Sequence, residues 1–175
     1  LQKEQSLIYS LPPISIAHIK RMSRSFGMIQ FSKGNRPDIK TGYTLDDNVR
    51  ALMALCHVYV KTKDPSCEKY IKKYLTFIRY CQQPDGSFLN YVDKQLAFTP
   101  QNAEINLEDS NARAIYALGY FISLRGKFPD VWTEDATEII EQTFDMIMKM
   151  KSPRSIAYII KGLYHFEQAY PSKEV

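Results

Sequence analysis

Two short stretches of the chain set carboxylates, a carboxamide and a guanidinium in the same order. Asp46-Asp47-Asn48-Val49-Arg50-Ala51 recurs further along as Asp109-Ser110-Asn111-Ala112-Arg113-Ala114, and aligning the arginines also matches Ala54 and Leu55 with Ala117 and Leu118. Each stretch offers a second acid beside the first, Asp47 next to Asp46 and Glu108 next to Asp109. Glycoside cleavage needs such a pair, one carboxyl kept protonated to donate to the leaving oxygen and one ionised to activate water or attack the sugar. The arginines would hold one carboxylate charged while a like charge alongside raises the proton affinity of the other. The candidate acid, base or nucleophile groups are therefore Asp46, Asp47, Glu108 and Asp109, with Arg50 and Arg113 orienting them and meeting substrate. A purely local reading uses the same residues. On a helix each aspartate lies one turn before its arginine, nearer the positive end of the dipole, an arrangement worth roughly 0.2–0.5 kcal/mol. Asn48 and Asn111 would then bond nearby loop backbone.

Aromatic side chains accompany these heads. Tyr43 precedes the first, and Phe88 and Tyr91 lie between the two, where they could stack on the apolar faces of sugar rings, with Asn90 adding a polar contact. Ordinary packing is the competing reading, above all for Phe88. His18, His57 and His165 lack metal-ligand spacing, and no cofactor motif is present, so neither metal nor cofactor is expected.

The heads require helices to carry them. Ile14, Ile16, Ala17, Ile19, Met22 and Phe26 have amphipathic spacing and predict a helix stopping near Gly27. Residues 27 to 43 read as a loop. From Thr44 a helix runs to about Lys61, with Thr44 and Asp47 as a variant capping box. After a turn at Asp64-Pro65-Ser66, Tyr70 to Cys81 forms the next helix, stopped by Pro84-Asp85-Gly86. The connection from 84 to 107 is long for a helix-to-helix link, and a short strand is expected at Ser87 to Val92. The second headed helix covers about Glu108 to Leu124, Trp132 to Met150 supplies its partner, and a last helix follows Ser152-Pro153 and ends before Pro171. Six helices alternating between headed and plain predict an all-α fold of hairpins in an inner and an outer layer. Repeated heads would gather polar groups on one rim.

With 175 residues, 45% of them hydrophobic and 24% charged, the chain reads as a single domain over 1–175. The net charge of +4 carries no basic run, so nucleic acid is not an expected partner. Nor is a membrane, since no apolar stretch approaches the roughly 20 residues of a span. Cys56, Cys67 and Cys81 lack C-x-x-C spacing and read as buried free thiols, which favours a reducing, cytoplasmic setting. Because Leu1 is not an initiator methionine, upstream sequence is expected to have been removed.

Three segments together resemble the signature stretches of the six-hairpin glycosidase-like (α/α) toroid domains often attached to bacterial glycosyltransferases. They are Gly42-Tyr43-Thr44-Leu45-Asp46-Asp47-Asn48-Val49-Arg50-Ala51-Leu52, Phe88-Leu89-Asn90-Tyr91, and Glu108-Asp109-Ser110-Asn111-Ala112-Arg113-Ala114. The resemblance covers residues 12 to about 125 and implies a carbohydrate-facing cleft at the inner-helix ends, lined by Asp46, Asp47, Glu108 and Asp109. It also implies a partial toroid, about half of a six-hairpin barrel, whose open ends would meet a missing second half or a second copy. Two functions follow from it: a glycoside hydrolase-like domain acting on a glycan, or a non-catalytic module that binds glycan or scaffolds a glycosyltransferase. Gln82-Gln83-Pro84-Asp85-Gly86-Ser87-Phe88 is similar to turns of terpene cyclase and prenyltransferase toroids, a signal that reports architecture more than reaction.

Overall fold

Helix α1 (Ala17–Met22) is shorter than its apolar spacing predicts. The Ser23 hydroxyl donates back to the Ile19 carbonyl at 2.8 Å and meets the Tyr74 hydroxyl at 2.6 Å, and the chain turns so that Ser23 pairs with Met28. A side chain that competes for helix carbonyls ends the helix. The structure, a computed structural model, describes residues 12–170; Leu1 and Pro171 lie outside them.

The expected loop over 27–43 contains strands β1 (Ser32–Lys33) and β2 (Arg36–Pro37), a 3-10 turn at Ile39–Thr41 and the start of β3 (Tyr43–Thr44). Thr44 then caps α2 (Leu45–Thr62), its hydroxyl oxygen accepting the Asp47 N–H at 3.3 Å. That places Asp46 and Asp47 in the first turn, where the helix dipole favours negative charge. A 3-10 turn at Pro65–Cys67 leads into α3 (Glu68–Cys81). Its Ile71, Tyr74, Phe77 and Ile78 are fully buried, and each such side chain contributes about 1.5–3 kcal/mol of hydrophobic stabilisation.

Within the long connection, β4 (Tyr91–Val92) covers only the last two residues of the strand expected over Ser87 to Val92. It pairs antiparallel with β3, Tyr43 opposite Val92 and Thr44 opposite Tyr91, which draws the connection to the start of α2. A one-turn helix, α4 (Gln101–Glu104), precedes α5 (Glu108–Ile122). The single helix predicted over Trp132 to Met150 is instead two, α6 (Asp130–Glu141) and α7 (Phe144–Ile147). Between them the buried Thr143 hydroxyl donates to the Ile140 carbonyl at 2.6 Å, and the Gln142 carbonyl lies against Gly86, whose φ of 81° and missing Cβ permit the approach. α8 (Pro153–Ala169) starts at the expected Ser152-Pro153 boundary, with the Ser152 hydroxyl oxygen accepting the Ser155 N–H.

Among the described residues the fold is all-α, with only two-residue strands. α5 lies between α2 and α8, while α3 packs on α2, and α6 on both α5 and α3, so the headed helices occupy one layer and α3 and α6 the other. The arrangement buries Leu52 and Leu55 of α2 and Ile115, Leu118 and Phe121 of α5 completely. α5 and α8 touch backbone to backbone: a Cβ added to Gly119 or Gly162 would collide with the main chain of the opposite helix. Cys56, Cys67 and Cys81 are buried and unpaired, and burial pushes the Cys56 and Cys81 thiols far up. No helix among the described residues is long and apolar enough to cross a membrane.

Candidate functional site

The repeated asparagines tie loops to helices. Asn48 Oδ1 accepts the Met28 N–H at 2.8 Å, while its amide donates to the carbonyls of Met28 and Thr44 at 3.3 and 2.7 Å. Asn111 does the same, accepting the Phe88 N–H at 2.7 Å and donating to the carbonyls of Phe88 and Leu107 at 2.8 and 2.9 Å. The sequence repeat is thus a repeat in bonding: each amide clamps the loop that follows α1 or α3. Asn90 serves the start of α2, its carbonyl accepting the Leu45 N–H at 2.8 Å and its Oδ1 the Asp46 N–H at 3.0 Å. Asn90 is in turn held by Asn102, whose Oδ1 accepts the N–H groups of Asn90 and Tyr91 at 2.8 and 2.9 Å. Sequence reasoning misses Asn102 because its partners are backbone groups that only the turn bridging Val92 to Phe98 brings near.

With the helix starts held, the charged side chains meet. Arg50 contacts Asp46 Oδ2 at 2.6 Å, and Arg113 Nη2 contacts Asp109 Oδ2 at 2.7 Å, the two one-turn pairs expected. Two further contacts join the heads: Arg113 Nη1 to Asp46 Oδ1 at 2.6 Å and Arg154 Nε to Asp109 Oδ1 at 2.7 Å. An alternating chain, Arg50, Asp46, Arg113, Asp109, Arg154, therefore crosses the N-termini of α2, α5 and α8, which fixes these helices as parallel neighbours.

The adjacent acids are not left free. Asp47 Oδ2 accepts the Thr44 hydroxyl at 2.6 Å. Burial raises the Asp47 proton affinity, the Thr44 hydrogen bond opposes this, and the Asp46 charge adds to the rise. Glu108 Oε2 accepts the N–H groups of Lys151 and Ser152 at 3.2 and 2.8 Å, tying α5 to the segment entering α8. The expected division of labour, an ion-paired acid with a free neighbour, is corrected on this point: Asp47 is bonded to the Thr44 cap and Glu108 to the segment entering α8, while Asp46 and Asp109 line one hollow and Glu108 borders the next.

That hollow, about 140 Å³, is lined by Asp46 and Asp109 together with Asn90, Tyr91, Asn106 and Ser110. A second of about 230 Å³ adjoins it, sharing Asn106 and Asp109 and reaching Glu108 and Arg154. Compared with known families and curated proteins, the chain matches no family model and no curated sequence. Its chemistry must be read from these groups alone. The hollow unites four expected residues, Asp46, Asp109, Asn90 and Tyr91. It does not recruit Tyr43 or Phe88, which are 5% and 1% exposed: Tyr43 packs on Phe26 and Phe77, while Phe88, held by the Asn111 clamp, borders a different hollow of about 280 Å³ together with Glu108. Arg50 and Arg113 border a separate hollow of about 250 Å³ on the far side of the ion chain. Among the described residues no His, Cys, Asp and Glu cluster is placed to hold a metal. Two carboxylates fixed by one guanidinium, beside a half-buried tyrosine and an asparagine, suit the acceptance of hydroxyl donors more directly than the release of a proton.

Proposed function

We propose that the domain binds a glycan at the rim formed by the N-termini of α2, α5 and α8, as a non-catalytic module built on half of a glycosidase-like (α/α) toroid. The observation that carries this reading is the hollow that joins Asp46 and Asp109, from two repeats, to Asn90 and Tyr91. Carboxylates held by arginine keep lone pairs for sugar hydroxyls, and a tyrosine beside them offers an apolar ring face. Exposed Ile156, Ile160 and Tyr164 along α8 suit the docking of a second half or a second copy. Attachment to a glycosyltransferase and a cytoplasmic setting belong to the same proposal, the latter in keeping with three unpaired thiols.

The test is a glycan array followed by calorimetry on the full chain. Replacing Asp46 and Asp109 together by Asn should weaken the best-bound glycan by at least about tenfold, with helicity checked by circular dichroism. Binding that survives unchanged would remove the rim from consideration. Hydrolysis is the second reading, favoured by Asp47, whose proton affinity burial raises. Turnover of the bound glycan that disappears in Asp47→Asn would establish it over simple binding.

A further inference from the structure

The three headed helices share more than their first turns. Below the ion chain, side chains at the same positions in α2, α5 and α8 form rows across the face turned away from α3 and α6. The next row is Arg50, Arg113 and Tyr158, with the Arg113 guanidinium 5.3 Å from the centre of the Tyr158 ring. Then come Met53, Tyr116 and Lys161, with the Lys161 ammonium 4.5 Å over the Tyr116 ring. The last row is His57, Tyr120 and His165, where the His57 and Tyr120 rings stack at 4.5 Å and His165 meets Tyr120 edge-on at 5.3 Å. These rings contact one another on a half-buried face, with the Tyr120 hydroxyl also bonded to His57 Nδ1 at 2.9 Å, and leave aromatic surface open beside the charged groups.

The charge on this face is one-sided. Its carboxylates, Asp46 and Asp109, occur only in the first row, where Arg50, Arg113 and Arg154 bond them, and Lys161 lies below with no acid beside it, so cations outnumber acids across the rows. Between the upper rows lies the hollow of about 250 Å³ lined by Arg50, Arg113, Tyr116 and Tyr158. Arg113, which lines it, has a buried Nε–H with no acceptor among the described residues.

We propose that this face binds the acidic part of the glycan, a run of carboxylate-bearing (uronate) sugar residues, with ring faces on Tyr116 and Tyr158 and carboxylates among Arg50, Arg113 and Lys161. The inference rests on the carbohydrate reading and narrows it to a substrate class. Guanidinium and ammonium groups over aromatic rings recognise a sugar that is apolar on its faces and anionic at its edge.

The probes are hexamers of galacturonate, mannuronate and glucuronate, each paired with its methyl ester, titrated calorimetrically against the full chain. At least one acid hexamer should bind at least about tenfold more tightly than its ester, and Lys161→Ala and Tyr116→Ala should each weaken it by about tenfold while the thermal transition stays intact. Its affinity should also fall as salt rises. Esters binding as tightly as acids, or acid binding indifferent to both substitutions, would overturn the assignment. So would failure of every acid hexamer to bind; if neutral glycans then still bind in a manner dependent on Asp46 and Asp109, the carbohydrate reading survives and only its narrowing is lost.

Discussion

Arg113 carries two carboxylates on one guanidinium, Asp46 on Nη1 and Asp109 on Nη2. Its side chain is 17% exposed, whereas Arg50 and Arg154 at the ends of the chain are 56% and 70% exposed. Solvent-exposed pairs contribute about 0.2–1 kcal/mol, so most of the energy lies at the centre. Arg113→Met should cost about 2 kcal/mol in urea denaturation, because it leaves two half-buried carboxylates facing one another, while Arg154→Met should cost about 0.5 kcal/mol or less. Asp47 gives a prediction in pH. Its folded proton affinity is raised, so between the ordinary carboxylate range and the folded value the native state binds more protons than the unfolded chain. Its contribution to stability is therefore greatest in acid and declines as pH rises through that window. Subtracting the stability of Asp47→Asn from that of the parent chain should yield a difference that falls with pH above about 4; a flat or rising difference would show that burial does not govern this acid. The one-turn pairs and the Thr44 cap were legible in the sequence because their partners are a turn apart. The Arg113 to Asp46 contact was not, since it exists only once α2 and α5 pack side by side.

Among the elements, the long helices followed from apolar periodicity and their caps, and the departures all have long-range causes. α1 stops at a serine bonded to Tyr74 of α3, and the expected helix through Met150 divides where the Gln142 carbonyl meets Gly86 from a distant turn. Neither partner can be seen from local spacing. The asparagine clamps lie between these cases: the repeat marked Asn48 and Asn111 as important, but only the fold identified Met28 and Phe88 as what they hold. Asn111→Ala should cost about 3 kcal/mol, because the buried Phe88 N–H and two carbonyls lose their partner together. Asn48→Ala should cost less, about 2 kcal/mol, since Met28 is only half-buried and water can reach its backbone. Equilibrium unfolding of the two variants in parallel checks the order.

At the scale of the whole molecule, layered hairpins leave the chain with an unlike pair of sides. α5 is covered by neighbours on both flanks, whereas α8 has α5 on one flank and exposes Ile160 and Tyr164 at 62% and 61%. Sedimentation velocity at micromolar concentration should show association that Ile160→Lys weakens; a monomer insensitive to the substitution would argue that this side meets only solvent. The layered arrangement was readable from the alternation of headed and plain helices. The acidic-sugar face was not, because Met53, Tyr116 and Lys161 share no residue type and align only when three helices are in register.

The contact between Gly119 and Gly162 has a kinetic consequence. Where main chain meets main chain at this crossing, α8 cannot slide along α5 without a backbone clash, so it is expected to leave α5 as a unit. Amide protons at the centres of both helices should then exchange with solvent through one shared opening, at one rate, and each opening would carry Arg154 away from Asp109, making the end of the ion chain a reporter of whether the third helix is seated.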